Sequence, residues 1–341
     1  MYQNILKRGI NSRLVINLNS RLIHTSKSIF QQAAISKQQG QEPVFSETIR
    51  DFLDPKDFYN LLQKHNINHF SGVPDSLLKD FCAYITDHAP ASNHMITANE
   101  GSAIANAAGV HLATGGHSCV YFQNSGFGNC VNPLLSLTDP KIYSIPMLML
   151  IGWRGEPGKK DEPQHLVQGQ VMSSLLTDMG IQFEVLPDYI EGAEESLETA
   201  MHYMTHRKAP YAFLVKRQTF QPYKLQTLPS KPFDMNREEA LNVILDHSKE
   251  WDTFVTTTGF TSREVYEYRE DRAQGHNRDF LCVGNMGHAS AVAMGIAAQK
   301  PSRSVYCIDG DGALLMHMGN IATIGQSQHL KNYKHIIINN G

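Results

Sequence analysis

The chain has 341 residues, 41% of them hydrophobic and 18% charged, with a formal net charge of −3. This length exceeds one ordinary core and implies two domains, and the charge balance offers no basic field for nucleic acid. No apolar run approaches the roughly 18 residues of a membrane span. The five cysteines are scattered without a CxxC pair, and no HExxH or Cys/His cluster accompanies the 16 histidines. Buried free thiols in a reducing compartment follow, with no zinc site.

In chain order, the first forty residues differ from the rest. They contain no Asp or Glu, while Lys7, Arg8, Arg13, Arg21, Lys27 and Lys37 alternate with Leu, Ile, Ser and Asn. That is the composition of a mitochondrial transit peptide, so residues 1–45 read as a leader outside the fold and the mitochondrial matrix as the destination, with the cytoplasm as the alternative.

From Asp54 the pattern is an α/β alternation. Residues 54–66 open with an Asp cap and a Pro at the first helical position. A strand follows at NHFSGV, a helix at SLLKDFCAYI, and MITANEGSAIANAAGVHLATG passes from strand into a helix of small residues. Further strands lie at CVYFQ, PMLMLIGW and YAFLVKR. Residues 221–235 (QPYKLQTLPSKPFDM) hold three prolines and little periodicity, which suits an interdomain linker. Beyond it the alternation restarts: a helix near 237–248, the strand TFVTTTG, a helix at ASAVAMGIAAQ, the strand SVYCID, one helix through ALLMHMGNIATIGQ, and the strand HIIIN. The expected fold is α/β, with two doubly wound parallel-sheet domains covering 50–220 and 236–341.

The chemistry concentrates at strand ends. In CIDGDGALLMHMGN a strand delivers Gly310-Asp311-Gly312 into a turn at a helix start, a setting that favours an anion. Asp311 would repel a bare phosphate, a conflict that a bridging divalent cation such as Mg2+ removes. Asn340, at the end of the next strand, offers a second oxygen ligand. GDG followed after 26 residues by an Asn pair resembles the signature of the thiamine diphosphate enzymes. In that family a third metal ligand, a main-chain carbonyl, lies just beyond the Asn pair. The resemblance therefore implies a second domain cut short at Gly341.

Other stretches resemble the same family. NEGSAIANAAG (99–109) matches the helix start carrying the cofactor-activating acid, here Glu100, whose carboxyl would meet N1′ of the aminopyrimidine. VGNMGHASAVAMG (283–295) matches the segment under that ring, with the Gly284 carbonyl as acceptor from the 4′-amino group and Met286 as the wedge that bends the cofactor. TTTGFTS (256–262) supplies Gly259 with the hydroxyls of Thr258 and Thr261 for diphosphate oxygens; a Thr-rich turn is its plain alternative. Gly310 and Gly312 complete the cofactor set.

Within the family, SGVPDSLLKDFC (71–82), YFQNSGFGNCVNPLLSL (121–137), SIPMLMLIGWRGEPGKKDEPQH (144–165) and TTGFTSREVYEYRE (257–270) are similar to the phosphonopyruvate decarboxylase branch, with the sulfopyruvate decarboxylases nearest to it. The resemblance implies decarboxylation of 3-phosphonopyruvate to phosphonoacetaldehyde and CO2, in organic phosphonate biosynthesis. It also implies a homodimer or higher homo-oligomer whose sites are shared between subunits. Asp75 matches an acidic position near the cofactor and is either a proton donor or the cap of the helix beginning near Ser76. For the phosphonate, the loop after PMLMLIG offers Arg154, Lys159, Lys160 and His165, and QNSGFGN offers Asn124, Ser125 and Asn129. Sulfopyruvate as substrate remains open, as does a chain that only holds cofactor or pairs with an intact subunit.

Overall fold

The computed structural model describes residues 52–226 and 234–339. The basic leader and Asn340 lie outside the described residues. The first domain is built on a six-stranded parallel sheet of order β2-β1-β3-β4-β6-β5. Its strands are β1 (His69–Gly72), β2 (His94–Ile96), β3 (Ser118–Gln123), β4 (Leu148–Gly152), β5 (Gln182–Val185) and β6 (Tyr211–Val215). The central strands are apolar on both sides because helices cover both faces. On one face Tyr121, Leu148, Leu150 and Phe213 pack against α1 (Pro55–Lys64), α2 (Lys79–His88) and α6 (Ile190–Arg207). On the other, Val120, Phe122, Met149, Ile151 and Leu214 meet α3 (Glu100–Thr114), α4 (Phe127–Pro133) and α5 (Pro163–Asp178).

Local chemistry explains the helix starts. The Asp54 side chain accepts from the Lys56 N–H at 2.8 Å, and Pro55 occupies the first position of α1. Asn99 caps α3 through the Ser102 N–H, and Ala103, Ala107 and Ala108 let that helix lie close on the sheet. All five cysteines are buried free thiols, with burial pushing Cys82 up to about 12.

The second domain carries a four-stranded parallel sheet of order β10-β9-β7-β8. Its strands are β7 (Thr253–Thr256), β8 (Asp279–Leu281), β9 (Val305–Gly310) and β10 (Tyr333–Ile338). One face packs on α9 (Ala289–Gln299), the other on α7 (Arg237–Asp246) and α8 (Phe260–Asp271).

Two expectations change. The single helix expected after GDG is two short ones, α10 (Asp311–Met316) and α11 (Asn320–Gln326). The chain leaves α-helical geometry at His317 (φ −133°, ψ 45°), and Gly319 caps the restart. The start of the expected linker is not free either. Gln221 bonds to the main chain of Phe52 and Leu53, and Tyr223 and Gln226 bond to Asp80 and Asp87 of α2. Residues 221–226 therefore belong to the first domain, while 227–233 lie outside the described residues. Among the described residues no helix is long and apolar enough to cross a membrane.

Candidate active site

Parallel strands send all their C-terminal loops to one sheet edge, the usual place for a ligand in such folds. At that edge of the second sheet an open cleft of about 260 Å³ is lined by Thr257, Thr258, Gly259, Thr261, Met286, Gly310, Asp311 and Gly312. The fold thus gathers three separate sequence segments, each predicted to serve one cofactor, around a single space. Gly259 has φ 94°, a conformation that favours glycine and turns the chain from β7 into α8. Asn285 (φ 62°) and Gly287 (φ 88°) flank Met286. That double reversal lifts Met286 into the cleft, 40% exposed. Gly284 is not among the lining residues and sits against Gln164 of α5.

Two cleft features were missed in the sequence. Thr257 lines the cleft with a buried Oγ1 that has no hydrogen-bond partner; the run of three threonines hid which one faces inward. Below the turn, the buried Asp309 carboxylate accepts from the Gly310 N–H at 3.1 Å and lies 3.2 Å from His335 Nε2. Cys307 joins this group, so the fold does assemble a Cys307–Asp309–His335 cluster that could ligate a metal. The sequence concealed it because β10 brings His335 beside β9 from 26 residues away.

The edge of the first sheet collects the remaining candidates. Glu100 starts α3 and is 4% exposed. Burial raises its pKa, opposed by hydrogen bonds from Asn129 and from its own main-chain N–H. Asp75, 5% exposed, accepts from Gln123 Nε2 on one oxygen and from the Leu77 N–H at 2.9 Å on the other. This is the pattern of a turn cap, and it holds the segment entering α2.

Arg154 is already engaged. Its Nε and Nη2 fork grips Asp161, at 2.9 Å to Oδ2 and 2.5 Å to Oδ1, while Nη1 donates to Ser76 Oγ at 3.1 Å. The guanidinium and two main-chain N–H groups hold Asp161 far below the usual carboxylate range. Asn124 is buried with its amide bonded to both main-chain groups of Arg154, so it orders the loop. Ser125 donates to Gln123 Oε1 at 2.6 Å. Lys159 and Lys160 are exposed on the same loop and His165 is half-buried, its pKa lowered chiefly by burial.

Comparison with known proteins now decides the family. Residues 56–176 match the description "Thiamine pyrophosphate enzyme, N-terminal TPP binding domain", and residues 257–341 match its C-terminal TPP binding domain. The phosphonopyruvate decarboxylase of Streptomyces viridochromogenes is 34% identical over 286 residues, 80% of this chain and 69% of that protein. Its namesake in Streptomyces hygroscopicus is 35% identical over 287 residues, with the same shares covered. The chain belongs to the phosphonopyruvate decarboxylase family of thiamine pyrophosphate enzymes. The sulfopyruvate decarboxylase of Methanosarcina acetivorans is 24% identical over 305 residues, 82% of this chain and 74% of that protein.

A carboxy-lyase of this family uses thiamine diphosphate, and the cleft fits that group. The orphaned Thr257 Oγ1 needs a polar partner. Gly259, Gly310 and Gly312 keep side chains out of the space, and Met286 Cε would lie 3.3 Å from a Cβ added at Gly312. Thr257, Thr258 and Thr261 offer hydroxyls where a diphosphate would lie.

Proposed function

We propose that this chain decarboxylates 3-phosphonopyruvate to phosphonoacetaldehyde and CO2, with thiamine diphosphate anchored through Mg2+. The observation that carries the reading is the 34–35% identity to two phosphonopyruvate decarboxylases over 80% of the chain, against 24% to the sulfopyruvate decarboxylase. When bound, the cofactor supplies a nucleophilic thiazolium carbon and a sink for the electrons released with CO2.

This chain's residues supply the rest. Asp311 offers a hard oxygen ligand at the cleft, Asn340 is the second proposed metal ligand, and Thr257, Thr258 and Thr261 would hold diphosphate oxygens. Gly284 would accept from the amino group and Met286 would hold the cofactor bent. Glu100, buried and raised in pKa, would exchange a proton at N1′. Asp75 acts as an acceptor that fixes its turn, with Gln123 and Leu77 occupying its two oxygens.

Arg154 is the proposed phosphonate contact: a phosphonate could present the same pair of oxygens that Asp161 now offers, and Lys159 and Lys160 follow in the loop. Ser125 and His165 lie at the same sheet edge. Glu100 is not among the residues lining the Asp311 cleft, which fits a site completed between two copies of the chain.

The test is kcat/KM for phosphonopyruvate, sulfopyruvate and pyruvate, with and without a chelator. Phosphonopyruvate is expected to be preferred, and cofactor binding to be lost with the chelator and in Asp311→Ala. Arg154→Ala should weaken phosphonopyruvate use about ten- to a hundredfold more than pyruvate use. A preference for sulfopyruvate would overturn the substrate, and equal losses would assign Arg154 to loop structure.

A further inference from the structure

Glu100 is enclosed by one short stretch of chain after β3. Asn129, on α4, donates Nδ2–H to Glu100 Oε2 at 2.7 Å. Gly126 lies against the other oxygen, and a Cβ there would overlap Oε1 and its carbon. The contact is locked from the opposite side as well, since a Cβ at Gly101 would fall 2.6 Å from the Asn129 carbonyl oxygen. Two helices therefore meet through two glycines and one amide, with Glu100 between them.

We propose that Asn129 is the positioning residue of Glu100, holding Oε2 so that the exchangeable proton resides on Oε1. The inference rests on Glu100 being the cofactor-activating acid. The carbonyl-type oxygen of a protonated carboxyl is the stronger acceptor, so the amide N–H at Oε2 favours the proton on the other oxygen. Asn129 offers no donor to Oε1, which lies over the bare backbone of Gly126. An acid that exchanges a proton with one ring nitrogen gains from having that proton on a single, fixed oxygen. The sequence motif QNSGFGN suggested a substrate contact for Asn129; the fold turns it toward the acid instead.

Removing a donor to the charged form should raise the Glu100 midpoint, by about one to two pH units for a charge-assisted bond. The measurement is an infrared pH titration of the cofactor-free full chain, following the carboxyl band that disappears in Glu100→Gln. Asn129→Leu is expected to move the midpoint up, and Gly126→Ala, which crowds Oε1, is expected to move it as well. If Asn129→Leu does not fold, Asn129→Ala serves the same measurement. An unchanged midpoint in a folded variant would make Asn129 mere packing. A lowered one would mean the amide accepts the proton, overturning the assignment to Oε1.

A second titration follows thiamine diphosphate binding against pH by intrinsic fluorescence, and should shift in the same direction. An infrared shift without a binding shift would keep Asn129's hold on Glu100 and instead sink Glu100's role toward the cofactor.

Discussion

Glu100, the proposed cofactor-activating acid, carries a penalty to the fold. Its ordinary value is 4.5, and burial raises it in the folded chain. As pH rises through the ordinary value, the unfolded chain releases this proton first. Stability then falls until the raised folded value is passed, and above that the full penalty is present. Glu100→Gln removes the titration. It should raise the Tm at about pH 8 and change it little at about pH 4, while lowering turnover about 10²–10⁴-fold. Thermal unfolding at both pH values checks the sign, and no gain at the higher pH would mean the carboxyl is better solvated than its burial implies. Arg154 teaches the converse lesson. Its charge was legible in GWRGEPGKK, but its grip on Asp161, seven residues on, depends on how the loop folds back.

Secondary-structure elements carry their own constraints. The helix α8 leaves the cleft at Gly259, and its far end is tied to β8 by Arg269 and Asp279, whose side chains are 2% and 0% exposed. Arg269 donates Nε to Asp279 Oδ2 at 2.9 Å and Nη1 to Gln274 at 2.6 Å, and its guanidinium lies 5.4 Å from the Phe254 ring centroid. Arg269→Leu leaves a buried carboxylate alone and should destabilise the protein by about 3–5 kcal/mol; replacing Asp279 with Leu as well should restore much of that loss. Denaturant unfolding of the two variants decides. A double variant no better than the single one would show that the pair's packing matters more than its charge. The apolar spacing of the α10–α11 segment continues through HMGN, so the sequence reads as one helix where the structure has two. Only the backbone at His317 and Gly319 ends the first turn.

At the scale of the whole molecule, the two sheets divide the chemistry. The first holds the buried acid and the charged loop, the second the cleft with Asp311. A site shared between copies makes a specific demand. Glu100→Ala and Asp311→Ala full-length chains, each inactive alone, should recover part of the wild-type activity when co-assembled in one oligomer. Hybrids that form without any recovery would place each complete site within one chain.

The sequence by itself determined the α/β class, the helix start at Asp54, and the glycine turns at Gly259 and Gly310–Gly312 that come to line the cleft. These follow from local rules: capping chemistry, apolar strands in a sheet covered on both faces, and glycines at turns where a ligand approaches. Tertiary structure alone decided which polar side chains are engaged with each other. Asn129 turns to Glu100, Asn124 to the Arg154 main chain, Asp161 to the Arg154 guanidinium, and His335 to Asp309. Apart from Arg154 and Asp161, which share one loop, the partners come from different elements, and a hydrogen bond depends on distance in space, which sequence spacing does not encode until the chain has folded its segments together.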